Sequence, residues 1–104
     1  MYLARFSYDV LPSDRQRAIE LIHREVRAAQ REGHSARLLI PLTRAQGGSA
    51  LQFEVELKSL DQLEEVRRGG GQEDERHGWM QAFSSILTSP PAVEILRVDE
   101  VPAV

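Results

Sequence analysis

The sequence predicts an α+β domain in the order β-α-β-β-α-β, a four-stranded antiparallel sheet with both helices on one face. Three observations carry that prediction. Residues 2 to 10 and 51 to 57 alternate apolar and polar side chains, the period of a half-buried strand. Residues 14 to 32 instead repeat apolar side chains every three or four positions, the period of an amphipathic helix. A second strand–helix–strand run follows the first, and right-handed crossovers in both halves close a single sheet. At 104 residues the chain has room for one domain spanning 1–104.

In the first strand Tyr2, Ala4, Phe6, Tyr8 and Val10 share one face and Leu3, Arg5, Ser7 and Asp9 the other. "LPSDRQ" then starts the helix, with Ser13 as N-cap and Gln16 completing a capping box. Ala18, Ile19, Ile22, Val26 and Ala29 form its apolar stripe. Gly33 ends it, because glycine takes the left-handed conformation without steric cost. Residues 36 to 43 read as a second strand with Leu38, Ile40 and Leu42 on one face, and Pro41 places that strand at an edge. "RAQGGSA" is a hairpin connection. In the third strand Leu51, Phe53, Val55 and Leu57 point in while Gln52, Glu54 and Glu56 point away. Ser59 caps a short helix carrying Leu60, Leu63 and Val66, and "RRGGGQEDE" is a charged, glycine-rich break. A helix from about Arg76 to Thr88 buries Trp79, Phe83, Ile86 and Leu87, and residues 92 to 98 form the last strand. The whole is the ferredoxin-like arrangement.

Composition excludes several function classes. The net charge is −3 with both signs mixed along the chain, which argues against a nucleic-acid surface. There is no cysteine, hence no disulfide framework, zinc ribbon or thiol chemistry. No apolar run approaches the roughly 20 residues that cross a bilayer, so the sequence reads as a soluble cytoplasmic protein with no membrane partner. Twelve arginines against one lysine, with no asparagine, point to a GC-rich bacterial genome.

The sheet face away from the helices collects Leu3, Leu39, Leu96 and Val98 among Arg5, Arg37, Glu54 and Glu94. An exposed sheet face is ordinarily polar throughout. Either a second copy covers these aliphatics, with Leu3, Arg5, Leu39, Glu54, Leu96 and Val98 at the interface, or they stand singly in solvent. Arg5 is expected to pair with Glu54 across neighbouring strands.

The opening "ARFSYDVLPSDRQRAIELI", a strand, a Pro-containing turn and an amphipathic helix, resembles the dimeric α/β-barrel superfamily. The stretch "LQFEVELKSLDQLEEVRRGG…HGWMQAF" is similar to that of its NIPSNAP-like and antibiotic-biosynthesis-monooxygenase-like members. The resemblance implies a homodimeric α/β barrel, in a superfamily whose activities include cofactor-independent monooxygenases, haem-degrading enzymes and cyclases. Relatives with haem or quinol chemistry use a helix histidine and tryptophan with an asparagine on the first strand. His77 and Trp79 match the first two. With no asparagine in the chain, and Arg5 and Ser7 in that part of the strand, the third partner is missing.

The remaining candidates come from the residues themselves. His77 is set well around the helix from Trp79, toward solvent, so the pair reads first as packing. Glu20-x-x-His23 and Asp74-x-x-His77 have metal-ligand spacing, but both drift to polar faces without further inward carboxylates, so no metal and no cofactor are expected. His34 reads as a helix-end histidine. Phe6, Tyr8, Phe53, Trp79 and Phe83, with His23 at the edge, either line a pocket for a small apolar or aromatic molecule or simply fill the core. If there is chemistry, His23, His77 or Tyr8 would move the proton. The glycine runs at 47–48 and 69–71 lack the strand–loop–helix context of a nucleotide site. Two readings follow: a homodimer that binds a small apolar or aromatic molecule or serves as an assembly module, and a cofactor-independent monooxygenase or cyclase of aromatic or polyketide metabolism.

Overall fold

The computed structural model describes residues 1–44, 50–64 and 81–102. Strand β1 (Tyr2–Tyr8) leads through a 3-10 turn (Pro12–Asp14) into helix α1 (Arg15–Arg31), followed by β2 (Ala36–Leu39), β3 (Leu51–Leu57) and β4 (Ala92–Arg97). The strands form one antiparallel sheet in the order β2-β3-β1-β4. The fold class is therefore the α+β, ferredoxin-like one that the alternation predicted, and β2 lies at an edge as expected, although the strand ends before Pro41.

Burial follows the pleat. β1 and β3 are the central strands, and on one side they bury Ala4, Tyr8, Leu51, Phe53, Val55 and Leu57. Helix α1 lies over β2 and β3 on that side and contributes Ala18, Leu21, Ile22 and Ala29, one stripe at helical spacing. Phe83 completes the core against Tyr8. Fully burying a Leu or Ile side chain contributes about 1.5–3 kcal/mol, so Leu21, Ile22, Leu51 and Leu57 tie α1 to the sheet.

Several local expectations are corrected. Ser13 is not the N-cap. Pro12 opens the turn one residue sooner, because its fixed φ suits a first helical position and it has no N–H to satisfy. Leu11 before it is extended (φ −66°, ψ 149°). Asp14 stands at the N-cap of α1 without a side-chain capping bond. Strand β2 stops at Leu39 rather than at 43. Beyond it Ile40 is exposed and Leu42 is 97% exposed, so neither joins Leu38 on a packed face. The last helix does not reach Thr88. Residues 81–84 are helical, but Leu87 is drawn into a bridge with Val10 and the Thr88 N–H donates to the Asp9 carbonyl at 2.9 Å. β1 and β4 end at Tyr8 and Arg97, short of Val10 and Val98, although the Val98 N–H still donates to the Met1 carbonyl at 2.9 Å. Near Ser59 the Gln62 side chain accepts from the Lys58 N–H at 2.7 Å, and 62–64 are helical. His77, Trp79, Val66, Asp74 and the glycine runs at 47–48 and 69–71 lie outside the described residues.

The end of α1 matches the sequence reading. Gly33 has φ +87°. Its N–H donates to the Gln30 carbonyl at 3.0 Å, and that of His34 to the Ala29 carbonyl at 3.0 Å, the paired bonds of a Schellman motif. A Cβ on Gly33 would meet nothing within 4 Å. Gly33→Ala therefore costs only the left-handed backbone penalty, about 1 kcal/mol. Urea unfolding is expected to show a lower midpoint with an unchanged m-value.

Candidate functional site

The face of the sheet turned away from α1 is organised around one carboxylate. Glu54 sits in the middle of β3, between β2 and β1, and the register sets Arg37 and Arg5 directly beside it. Residues opposed in an antiparallel pair project to the same side. Glu54 Oε2 accepts from Arg5 Nε (3.1 Å) and Nη2 (2.9 Å). Its Oε1 accepts from Arg37 Nε (3.0 Å) and from Arg37 Nη2. The two guanidinium groups roof the carboxylate, which is 2% exposed, while Arg5 and Arg37 remain 30% and 55% exposed. Burial alone would push the Glu54 carboxyl up. The hydrogen bonds and charges of Arg37 and Arg5 outweigh it and hold the group below the ordinary carboxylate range.

Arg5 has a second cross-strand neighbour, Glu94 of β4. The four strands thus carry a row Arg37–Glu54–Arg5–Glu94, alternating in sign from one edge of the sheet to the other. On one side of it lies the row Leu39–Gln52–Ser7–Ala92, and on the other Glu56–Leu3–Leu96. Leu3, Leu39, Leu96 and Val98 are half-buried. The expected Arg5–Glu54 pair is present. The sequence reading missed the burial of Glu54, which it directed away from the core, and Arg37 as its second partner. The signal was available: Arg37 and Arg5 bracket Glu54 once the strand order is known.

The helix-side face holds the aromatic candidates. Phe6 and Phe53 have ring centroids 5.6 Å apart, and Tyr8 meets Phe83 edge-on at 4.6 Å and 73°. Burial, then the negative charge of Glu25, pushes the Tyr8 hydroxyl well above the ordinary tyrosine range. Tyr8 therefore keeps its proton at any physiological pH. Beyond α1, Phe6 is half-buried beside Val93, and Ala4 pairs with Ile95. Val93 and Ile95 are 44% and 40% exposed, an apolar strip on the same face.

His23 is not brought to this cluster. It is exposed, as are Glu20 and Arg24, because it lies away from the Ala18–Leu21–Ile22–Ala29 stripe. Trp79 and His77 lie outside the described residues. Among the described residues no three His, Asp or Glu side chains gather closely enough to hold a metal ion, and no helix is long and apolar enough to cross a membrane.

The Glu54 cluster generates a stability prediction. Removing one partner of a fully buried ion pair costs about 3–5 kcal/mol. Both arginines here reach water, so Glu54→Gln is expected to cost about 1–2 kcal/mol at pH 7. The folded pKa lies below the ordinary 4.5, so the stabilisation is fully present above pH 4.5 and disappears as pH falls through the folded value. Urea stability measured from pH 7 downward should fall more steeply below pH 4.5 in the native sequence than in Glu54→Gln. Parallel curves would show that the carboxylate is not held as described.

No family model matches the sequence, and neither does any curated protein. Solved structures match the fold over nearly its whole length. Rv0793 from Mycobacterium tuberculosis is 21% identical with a TM-score of 0.69, over 98% of this chain and 100% of that one. An antibiotic biosynthesis monooxygenase is 13% identical with a TM-score of 0.69, over 98% and 100%. An uncharacterised NIPSNAP domain protein from Burkholderia xenovorans is 10% identical with a TM-score of 0.69, over 99% and 95%. The chain therefore has the ferredoxin-like fold seen in antibiotic-biosynthesis-monooxygenase-like and NIPSNAP-domain proteins.

Proposed function

We propose that this chain works as a homodimer whose sheets pack face to face to form an α/β barrel, and that it binds a small apolar or aromatic molecule on the helix side of β1 and β4. The observation that carries the reading is the far sheet face. Leu3, Leu39, Leu96 and Val98 frame the Arg5–Glu54–Arg37 ion cluster there. A solvated sheet face has no use for four aliphatics, whereas covering them against a second sheet contributes several kcal/mol at about 25 cal/mol per Å². On the helix side, Phe6, Val93 and Ile95 offer apolar surface, and Tyr8 stands nearby as a protonated hydroxyl. That is the usual make-up of a small-molecule site, mostly apolar with few polar groups.

A second reading, a cofactor-independent monooxygenase or cyclase acting on an aromatic metabolite, would use the same site. The fold shared with an antibiotic biosynthesis monooxygenase favours it. It needs a group that exchanges a proton near neutral pH. Of the three candidates, Tyr8 holds its proton, His23 faces solvent and His77 lies outside the described residues, so binding is the reading the described residues support better.

Sedimentation at micromolar concentration is expected to give a particle of twice the 11.8 kDa chain mass. Leu96→Glu should raise the dissociation constant at least tenfold without changing the far-UV spectrum. A folded 11.8 kDa particle in the native sequence would refute the dimer. For the ligand site the probe is 1-anilinonaphthalene-8-sulfonate. Its fluorescence should rise on binding the native protein, and Val93→Glu should weaken that binding about tenfold. Equal affinity for the variant would move the site elsewhere.

A further inference from the structure

We infer that the Tyr8 hydroxyl is the polar anchor of the helix-side site, and that the ligand meets it with an uncharged acceptor oxygen, as an aromatic ketone, ester or amide does and an aromatic carboxylate does not. The inference rests on the ligand-binding reading above and adds the chemical class of the ligand and the residue that selects it.

Tyr8 carries a polar atom that the fold itself does not use. Its side chain is 6% exposed and packs edge-on against Phe83, with ring centroids 4.6 Å apart. Among the described residues its hydroxyl neither gives nor accepts a hydrogen bond. The Ala50 N–H, at 3.1 Å, donates to the main-chain carbonyl of Tyr8 and not to the ring oxygen. Buried hydroxyls are ordinarily paired, because desolvating one without a partner is unfavourable. A phenylalanine at this position would keep the contact with Phe83 and avoid that cost. Phe6, two positions earlier on the same face, does so against Phe53. Packing therefore accounts for the ring of Tyr8 and not for its oxygen.

The strand places that oxygen at one end of an apolar strip. Helix α1 lies over β2 and β3, so Phe6 and Tyr8 of β1 stand at its flank, on the side that opens toward Val93 and Ile95 of β4. Side chains on one face of a strand are about 7 Å apart. An aromatic ring laid on Phe6 and Val93 thus directs a substituent at its far end to Tyr8.

Glu25 helps to set the charge of that substituent. It lies on the buried stripe of α1, one turn from Leu21 and one turn from Ala29, and is half-buried. Burial first, and then the negative charge of Glu25, holds the proton on the Tyr8 hydroxyl. The same two causes act on any acid brought alongside. A carboxylate entering there would lose hydration and face a second negative charge. A neutral carbonyl loses far less and accepts the Tyr8 O–H. A ligand with no acceptor leaves the donor unpaired, and a buried donor discriminates by that means.

The probe that tests this is 6-propionyl-2-(dimethylamino)naphthalene, a neutral aromatic ketone whose emission moves to longer wavelength when its carbonyl accepts a hydrogen bond. The native protein is expected to bind it, and Val93→Glu to weaken that binding. Tyr8→Phe, which removes one oxygen, is expected to weaken binding about tenfold and to move the emission of the bound probe to shorter wavelength. Unliganded Tyr8→Phe is expected to keep the urea midpoint of the native protein, because the hydroxyl holds nothing within the chain. In competition, 2-acetylnaphthalene is expected to displace the probe at roughly one-tenth of the concentration that 2-naphthoate requires. No binding, or binding that Val93→Glu leaves unchanged, overturns the helix-side site and the anchor with it. Binding that responds to Val93→Glu but keeps its affinity and emission in Tyr8→Phe overturns the anchor while the site stands. A lowered urea midpoint in Tyr8→Phe shows that the hydroxyl serves the fold and also overturns it. Equal competition by the two naphthalenes overturns the preference for an uncharged ligand.

Discussion

Glu54 is a carboxylate in the middle of a central strand, and the architecture of one whole face follows from how it is satisfied. An ionised carboxyl removed from water is strongly disfavoured unless hydrogen bonds and opposite charges replace its hydration. Here four N–H groups from two arginines do so, one arginine from each neighbouring strand. That arrangement exists only if β2, β3 and β1 are adjacent and in this register. A slip of one residue on any of them would send the arginines to the opposite face. The cluster therefore marks the correct pairing of three strands, while the bulk of the stabilisation comes from the other side of the same strands, where Leu51, Phe53, Val55 and Leu57 meet α1.

The two faces divide the work by solvent access. The α1 side is filled where β2 and β3 lie beneath the helix, and it opens toward β4, whose Val93 and Ile95 stay exposed. The far side is neither a core nor an ordinary wet surface. Its aliphatics are half-buried by neighbouring side chains, and its charges are largely spent on one another. Such a surface gives up little hydration when covered, the property expected of an interface that forms after the chain has folded.

Much of this was legible in the sequence, for identifiable reasons. Alternation in 2–8 and 51–57 decides strand identity because the side-chain period is fixed by the pleat. Gly33 was readable as a helix end because few other residues accept its backbone angle. The edge position of β2 was expected from Pro41, but the strand ends at Leu39, so the missing N–H is not what puts it there. The failures share a different cause. Ser13 looked like a cap only while Pro12 was read as part of the preceding turn. The extent of the last helix depended on Leu87, whose bridge to Val10 joins residues far apart in the chain. Leu42 was assigned to a strand by alternation alone, although the strand had already ended. Glu54 was read as pointing away from the helices, paired with Arg5 on the face assigned to a second copy, and not as buried within its own chain. Its burial depends on Arg37, and that contact appears only when strand order is added to strand pattern.

A leucine at position 54 would have made the far face simpler and more apolar. Replacing a buried ion cluster by packed hydrocarbon is often neutral or stabilising, so the charges are not explained by the stability of the fold. What they add is register: Arg37 and Arg5 both meet Glu54 only when β2, β3 and β1 pair in this alignment, whereas apolar side chains at these positions would bury area in neighbouring alignments as well.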